Sequence, residues 1–422
     1  MKDYESFVPL EIVGAEGPWL QLADGSQVID AISSWWCKSL GHGHPRLRAA
    51  AVAQIERFEH VIIANTSNAP IRDLAAKLAA ICAPLDRVFF SGDGSCAVEI
   101  AAKMALRAQA LRGQPQRQRF MALADGYHGE TAFTMGLSDL GIFKAPYASI
   151  CPEVAYLQDV PLVTGSDDPG WDDCSDAWPA IEAQLAAQAD DLAGIVIEPI
   201  VQGAAGMHIH GIDFLRRLRA WCTQNDVYLI ADEIMTGLGR TGTALACDHA
   251  DVRPDFLCLS KGLTAGWMAF SATLTTTAIY ELFYDDYDTG KAFLHSNTYC
   301  GNALGVAVAR EALAVYEEEQ TFASVAARHC ELRNALQSVA DETGHLGPVR
   351  GIGAIVAADL ILPSERQRER VGYAIYQRAV ARGALLRPIG NTIYWLPPLN
   401  TPMDVIGELR DITAASIREV LG

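Results

Sequence analysis

Between residues 86 and 263 the chain repeats one pattern: a short apolar run rich in β-formers, a turn, then a helical run. "DRVFF" (86–90) passes through "SGDGS" (91–95) into the Ala-rich "CAVEIAAKMALRAQAL" (96–111). "AGIVIEPIV" (193–201) precedes the helical "DFLRRLRAWCTQN" (213–225), and "VYLIADEI" (227–234) and "DFLCLSKGL" (255–263) repeat the strand signal. Parallel strands need crossover connections, and crossover helices cover both faces of the sheet. The pattern therefore predicts an α/β fold with a mostly parallel central sheet.

The flanks read differently. Asp24-Gly25 between "WLQL" and "QVIDAI" predicts a hairpin. Helices are expected after Pro45 and over 69–81. Beyond about 306, long helices (306–318 and 321–343) precede "VRGIGAIVAADL", a helix over 365–382 and "ALLRPIGNTIYWLPPL". Residues 1–50 and 306–422 are expected to form a smaller α+β domain, and 51–305 the large one. The acidic, turn-rich "TGSDDPGWDDCSDAW" (164–178) reads as an exposed surface loop.

Bulk properties exclude several function classes. With 33 basic and 51 acidic side chains the net charge is −18, which argues against nucleic-acid binding. No apolar run reaches the roughly 18 residues of a membrane span, and "MKDYESFVPL" is not a signal peptide. Ten cysteines without a CxxC pair suggest reduced, mostly buried thiols in a cytoplasmic protein and give no metal-ligand pattern.

Three features at the expected strand ends carry chemistry. "SGDGS" brings backbone N–H groups and a helix N-terminus to one place, an anion cradle or simply a capped turn. "YLIADEI" is an apolar run that ends on Asp232 and Glu233, and a buried carboxylate needs a cationic or hydrogen-bonding partner. Lys261 follows a third apolar run, where it is a reactive amine, a snorkelling chain or an ion-pair partner for Asp232. In "ADGYHGET" (124–131), Tyr127 is an aromatic placed to stack on a ring or on the core, with His128 beside it. A phosphate cradle, a lysine and an acid at neighbouring strand ends suit pyridoxal phosphate, which presents a phosphate, an aldehyde and a pyridine nitrogen. A nucleotide-binding protein using "SGDGS" is the rival reading from another class.

The motifs "SGDGSCAVEIAAKMA", "GYHGET", "IEPIVQGAAGM", "LIADEIMTGLGRTG", "DFLCLSKGLTAG" and "HSNTYCGNALG" resemble the class III (ω-amino) aminotransferases of PLP fold type I across nearly the whole chain. That resemblance implies a PLP-dependent transaminase with a mostly parallel sheet in a large domain and a smaller domain made from both termini. It implies that Lys261 bonds the coenzyme aldehyde, Asp232 holds the pyridine nitrogen, Tyr127 stacks on the ring and Ile234 packs beneath it. Gly94 and Ser95 would bind the phosphate, with His128 close by. Thr298 would reach the coenzyme of a second subunit, so a homodimer with its active site at the interface is expected.

Within the class, "SSWW" (33–36), "GHGHP" (41–45), "FSATLTT" (270–276) and "LLRPIGNTIYWLPP" (385–398) resemble the members that serve biotin synthesis. Trp35, Trp36, Tyr127, Glu130, Ser296, Arg387 and Tyr394 would then bind the small-molecule substrates. Three departures stand out. Glu130 replaces an aspartate of the members that use S-adenosylmethionine, and "HSNT" (295–298) replaces His-Gly-Pro-Thr. The family's N-terminal His-Pro segment has no counterpart in this sequence. These departures bear on the amino donor: S-adenosylmethionine is the first choice, with lysine or another amine as alternatives. Another class III ω-aminotransferase is the rival reading within the family.

Overall fold

The computed structural model describes residues 2–139 and 141–422. Its centre is a seven-stranded sheet in the order Arg87–Ser91, Ser271–Thr275, Phe256–Leu259, Tyr228–Asp232, Leu192–Ile197, Arg119–Leu123, Ala155–Leu157. Six strands run parallel, and Ser271–Thr275 runs antiparallel to both neighbours. Ile230 pairs with Phe256 and Asp232 with Cys258, while Ala231 pairs with Ile197 on the other side.

Successive residues of a strand point to opposite faces, and here both faces are buried. Leu229 and Ala231 join a core with Phe214, Leu215 and Leu218 of the helix Ile212–Gln224. Tyr228 and Ile230 join another with Ala97, Ala101 and Ala105 of the helix Gly94–Leu111. This two-sided burial is why "YLIA" reads as a continuous apolar run. Alanines at the helix contact let Gly94–Leu111 lie close to the sheet. Asp93 caps that helix by accepting the Cys96 N–H at 3.0 Å, and Asn68 does the same for Ala69–Ile81 from Ile71 at 3.0 Å. Each such cap is worth about 1 kcal/mol.

The expected hairpin forms: Leu20 pairs with Val28 across a turn in which Gly25 takes φ +87°. It belongs to a four-stranded sheet, Ile12–Glu16, Trp19–Leu22, Gln27–Asp30 and Ala384–Leu385, whose last two strands pair in parallel. Both ends of the chain thus build one α+β body. A second sheet there joins Arg350–Ile352, Ile355–Asp359 and Thr392–Trp395, covered by Thr321–Thr343, Val371–Ala381 and Met403–Leu421.

Several elements were not foreseen. The strands Arg119–Leu123, Ala155–Leu157 and Ser271–Thr275 and the final helix Met403–Leu421 complete the two bodies. A boundary after residue 305 would cut the helix Ala303–Glu318, whose Val306, Ala309 and Leu313 share a core with Leu257 and Leu259. One after residue 50 would cut Pro45–Ile55. The segment 164–178 is only partly an exposed loop. Its Asp172, Asp173 and Asp176 face outward, but Trp171 and Cys174 are buried in the core, because acids and apolar residues in an irregular segment sort to opposite sides. All ten cysteines are free; five are buried and Cys330 is exposed. No helix among the described residues is long and apolar enough to cross a membrane.

Candidate active site

The carboxyl ends of the parallel strands meet at one edge, where ligands bind in open α/β sheets. Asp232 is the last residue of its strand, and Lys261 lies two residues beyond Phe256–Leu259. Tyr127 and His128 follow Arg119–Leu123, and Gly94 and Ser95 open the helix after Arg87–Ser91. Residues far apart in sequence meet because each crossover returns the chain to the same edge.

Asp232 is 5 % exposed and has two donors: His128 Nδ1 at 2.9 Å from Oδ2 and the Ile234 N–H at 3.1 Å from Oδ1. His128 is itself buried, and its other ring nitrogen has no partner among the described residues. The neighbouring carboxylate has a different task. Glu233 accepts the N–H groups of Ala246 at 2.6 Å and Cys247 at 2.9 Å, and so ties the following loop to the strand. Burial pushes Glu233 up to about 7 against these two hydrogen bonds. The folded state therefore holds a proton that the unfolded state has released between about pH 4.5 and about pH 7, and Glu233 makes the protein less stable as pH rises through that window. Glu233→Gln should flatten the decline in Tm across this window; parallel melting curves for variant and parent would reject the assignment.

Lys261 has φ +37°, and its ammonium lies 4.8 Å from the centre of the Trp36 ring. No hydrogen bond or ion pair occupies its Nζ among the described residues. Burial lowers its pKa, while the carboxylates of Asp232 and Glu198 pull it back up. Glu198 is, with Arg240 and Asp30, among the buried polar residues that sequence reasoning left without a role. It accepts the Tyr127 N–H and the Gly203 N–H, both at 2.9 Å, and burial pushes it up to about 7. Its signal was present: "AGIVIE" ends on an acid as "YLIAD" does. Arg240, 2 % exposed, donates to the Pro397 carbonyl at 2.6 Å and accepts the Ala354 N–H at 2.9 Å through its own carbonyl, joining the two bodies. Burial holds its pKa down to about 10. Asp30 is buried and accepts the N–H of Ser34, the residue before the two tryptophans, at 2.7 Å.

The turn expected to cradle an anion leaves no room for a side chain at Gly94. A Cβ on Gly94 would fall 2.8 Å from Ile234 Cδ1, and one on Gly129 would collide with Ser95 Oγ. Glycine at both places lets the helix start, the Ser95 hydroxyl and Ile234 close around one space. An unpaired half-buried lysine, a buried acid with two donors and this cradle fit the three polar handles of pyridoxal phosphate.

The substrate candidates fall into two groups. Trp36 Nε1 donates to the Tyr394 hydroxyl at 3.0 Å, and the guanidinium of Arg387 lies 4.0 Å from the Trp35 ring centre. Burial pushes the Tyr394 hydroxyl up to about 12. The Tyr127 hydroxyl meets Glu130 at 3.4 Å, and burial with that carboxylate pushes it up to about 12. Ser296 and Thr298 lie on an exposed segment, where the Thr298 carbonyl meets His60 Nε2 at 2.8 Å. Within one chain these two residues do not join the Lys261 cluster.

The aminotransferase class-III family matches residues 2–416. The adenosylmethionine-8-amino-7-oxononanoate aminotransferase of Synechococcus elongatus is 40% identical over 410 residues, covering 96% of this chain and 94% of that protein. The enzyme of the same name from Geobacter sulfurreducens is 35% identical over 442 residues, covering 100% of this chain and 95% of its own. Among solved structures, the Methanocaldococcus jannaschii enzyme of that name superposes with a TM-score of 0.92 at 30% identity, covering 100% of this chain and 95% of that one. A PLP-bound amine transaminase from an uncultivated Pseudomonas species gives 0.90 at 30% identity, covering 99% and 96%.

Proposed function

The chain belongs to the class III aminotransferases and uses pyridoxal phosphate, and from this premise we propose that it transfers an amino group to the 7-oxo carbon of 8-amino-7-oxononanoate. The product is 7,8-diaminononanoate, an intermediate of biotin biosynthesis. S-adenosylmethionine is the proposed donor, with lysine as the alternative. The observation that carries this reading is the cluster of Trp36, Tyr394 and Lys261: the indole spans the reactive amine at 4.8 Å and the phenol at 3.0 Å.

When bound, pyridoxal phosphate supplies an aldehyde for amines and a protonated ring that takes up the electron pair left on a substrate carbon. The residues that would hold it are Lys261 at the aldehyde, Asp232 at the ring nitrogen, Tyr127 and Ile234 on the two ring faces, and Gly94 and Ser95 at the phosphate. His128 orients Asp232 through its 2.9 Å contact. Lys261, its pKa lowered by burial, acts as the base that removes the proton from the donor carbon and later delivers one to carbon 7 of the acceptor. Trp35 and Trp36 enclose the apolar chain of the acceptor, and Tyr394 with Arg387 reads its polar ends. The planar fork of Arg387 suits the carboxylate. Tyr127 and Glu130 face the donor, and Ser296 would do so only across a subunit interface. Donor and acceptor occupy the pocket in turn, so the kinetics are ping-pong.

We further propose a cytoplasmic homodimer in which Thr298 completes the partner's phosphate site. Leu294 and Tyr299 beside it are 78 % and 65 % exposed in the single chain, as a covered interface would leave them. A solution mass of one chain would reject the dimer.

The deciding experiment offers the holoenzyme S-adenosylmethionine or lysine and follows the visible absorption of the coenzyme. Bleaching by one donor and recovery on adding 8-amino-7-oxononanoate is the expected result. Bleaching by neither, with turnover of another amine and a keto acid, would replace this reading with the wider class III activity. In Arg387→Ala the acceptor KM should rise about tenfold to a hundredfold, as expected for losing a hydrogen bond to a charged group. An unchanged KM would remove Arg387 from the pocket.

A further inference from the structure

The two tryptophans sit on a backbone that their own residues disfavour. Ser33, Ser34 and Trp36 have φ of +51°, +62° and +64°, and Ser34 combines its value with ψ −75°. This is the geometry of the rare γ-turn, which residues with a Cβ seldom adopt. Something must hold it, and Asp30 is in place to do so. Its carboxylate is 0 % exposed and accepts three hydrogen bonds: the Ser34 N–H at 2.7 Å, the Ser34 hydroxyl at 2.9 Å and His42 Nε2 at 2.8 Å. His42 is anchored in turn by two backbone hydrogen bonds with Gly17, at 2.8 and 3.0 Å. Ser33 Oγ donates to the Leu396 carbonyl at 2.8 Å, tying the loop to the strand that carries Tyr394. Among the described residues Asp30 makes no side-chain hydrogen bond to either indole. It fixes the turn from which both project.

We propose that Asp30 is a positioning residue for the reaction: its carboxylate holds the strained Ser33–Trp36 turn so that Trp35 and Trp36 stand against Arg387 and Lys261. The identity of the acceptor rests on the function proposed above; the placement of the indoles does not. In Asp30→Asn one acceptor oxygen remains, and an NH2 group faces a former donor. Ser34 is then free to relax to negative φ and carry both rings away.

The test uses holoenzyme labelled with 5-fluorotryptophan, its eight resonances sorted with Trp35→Phe and Trp36→Phe. Asp30→Asn should shift or broaden the Trp35 and Trp36 signals and leave the other six in place. Coenzyme uptake and the donor half-reaction should stay within about twofold of the parent, while the acceptor KM rises about tenfold or more, the size of effect expected when a displaced group loses its productive geometry. Adding Ser34→Gly to Asp30→Asn should recover much of that loss, because glycine takes positive φ without a steric cost. A role confined to fold stability would instead move all eight signals and lower coenzyme uptake, and the glycine would rescue nothing. Unmoved Trp35 and Trp36 signals would overturn the proposal. If the signals move as expected but the parent enzyme ignores 8-amino-7-oxononanoate, the positioning role stands and the proposed acceptor falls. Asp30→Ala, which removes all three acceptors, should exaggerate the Asn result; if it does not fold, the Asn and Asn/Gly pair still decides.

Discussion

Transamination by Lys261→Ala is expected to fall by about four orders of magnitude, the upper range for removing a proton-transferring side chain. The protein should still fold and still take up coenzyme without the covalent link. Among the described residues Nζ makes no hydrogen bond or ion pair, so its removal leaves none of them unsatisfied; it also relieves a desolvated cation. The visible band of the covalently held coenzyme should disappear, while the melting curve stays close to the parent's. In the parent, the same burial that lowers the lysine pKa makes the uncharged amine available at a lower pH than for a free lysine, so the rate should rise with pH through that lowered value. Measurable turnover by Lys261→Ala with an intact band would move the reactive amine elsewhere.

Asp232→Asn should slow both half-reactions by about 10²–10³-fold, the usual effect of removing one oriented group that stabilises charge forming in the transition state. The shape is kept, but one oxygen remains for the two donors, so either His128 or the Ile234 N–H loses its acceptor. The negative charge that would face the ring nitrogen is lost. Because both half-reactions use the same ring, donor and acceptor rates should fall together in single-turnover measurements. A loss confined to one of them would make Asp232 a substrate contact.

Much of this was legible in the chain. Strands buried on both faces are unbroken apolar runs, so Tyr228–Asp232 and Phe256–Leu259 were readable, and with them the acids and the lysine at their ends. Arg119–Leu123 begins on a charge and carries no turn signal as clear as "SGDGS", and Ala155–Leu157 is three residues long; neither stood out. Glu198 was missed although its setting repeats that of Asp232. Its role as the acceptor of two backbone N–H groups depends on where Tyr127 and Gly203 arrive.

Local pattern alone pointed to the alternation of strand and helix and to residue types that would suit a phosphate, an aldehyde and a pyridine nitrogen. These follow from side-chain periodicity and from the cost of burying a charge, both of which act over a few neighbours. What only the folded chain decided was which distant groups touch: Trp36 with Tyr394 across 358 positions, Ala384 beside Ile29, and Asp30 beneath the strained turn. Such contacts are set by how the layers pack, and no run of adjacent residues encodes the distance between two side chains that the crossovers bring together.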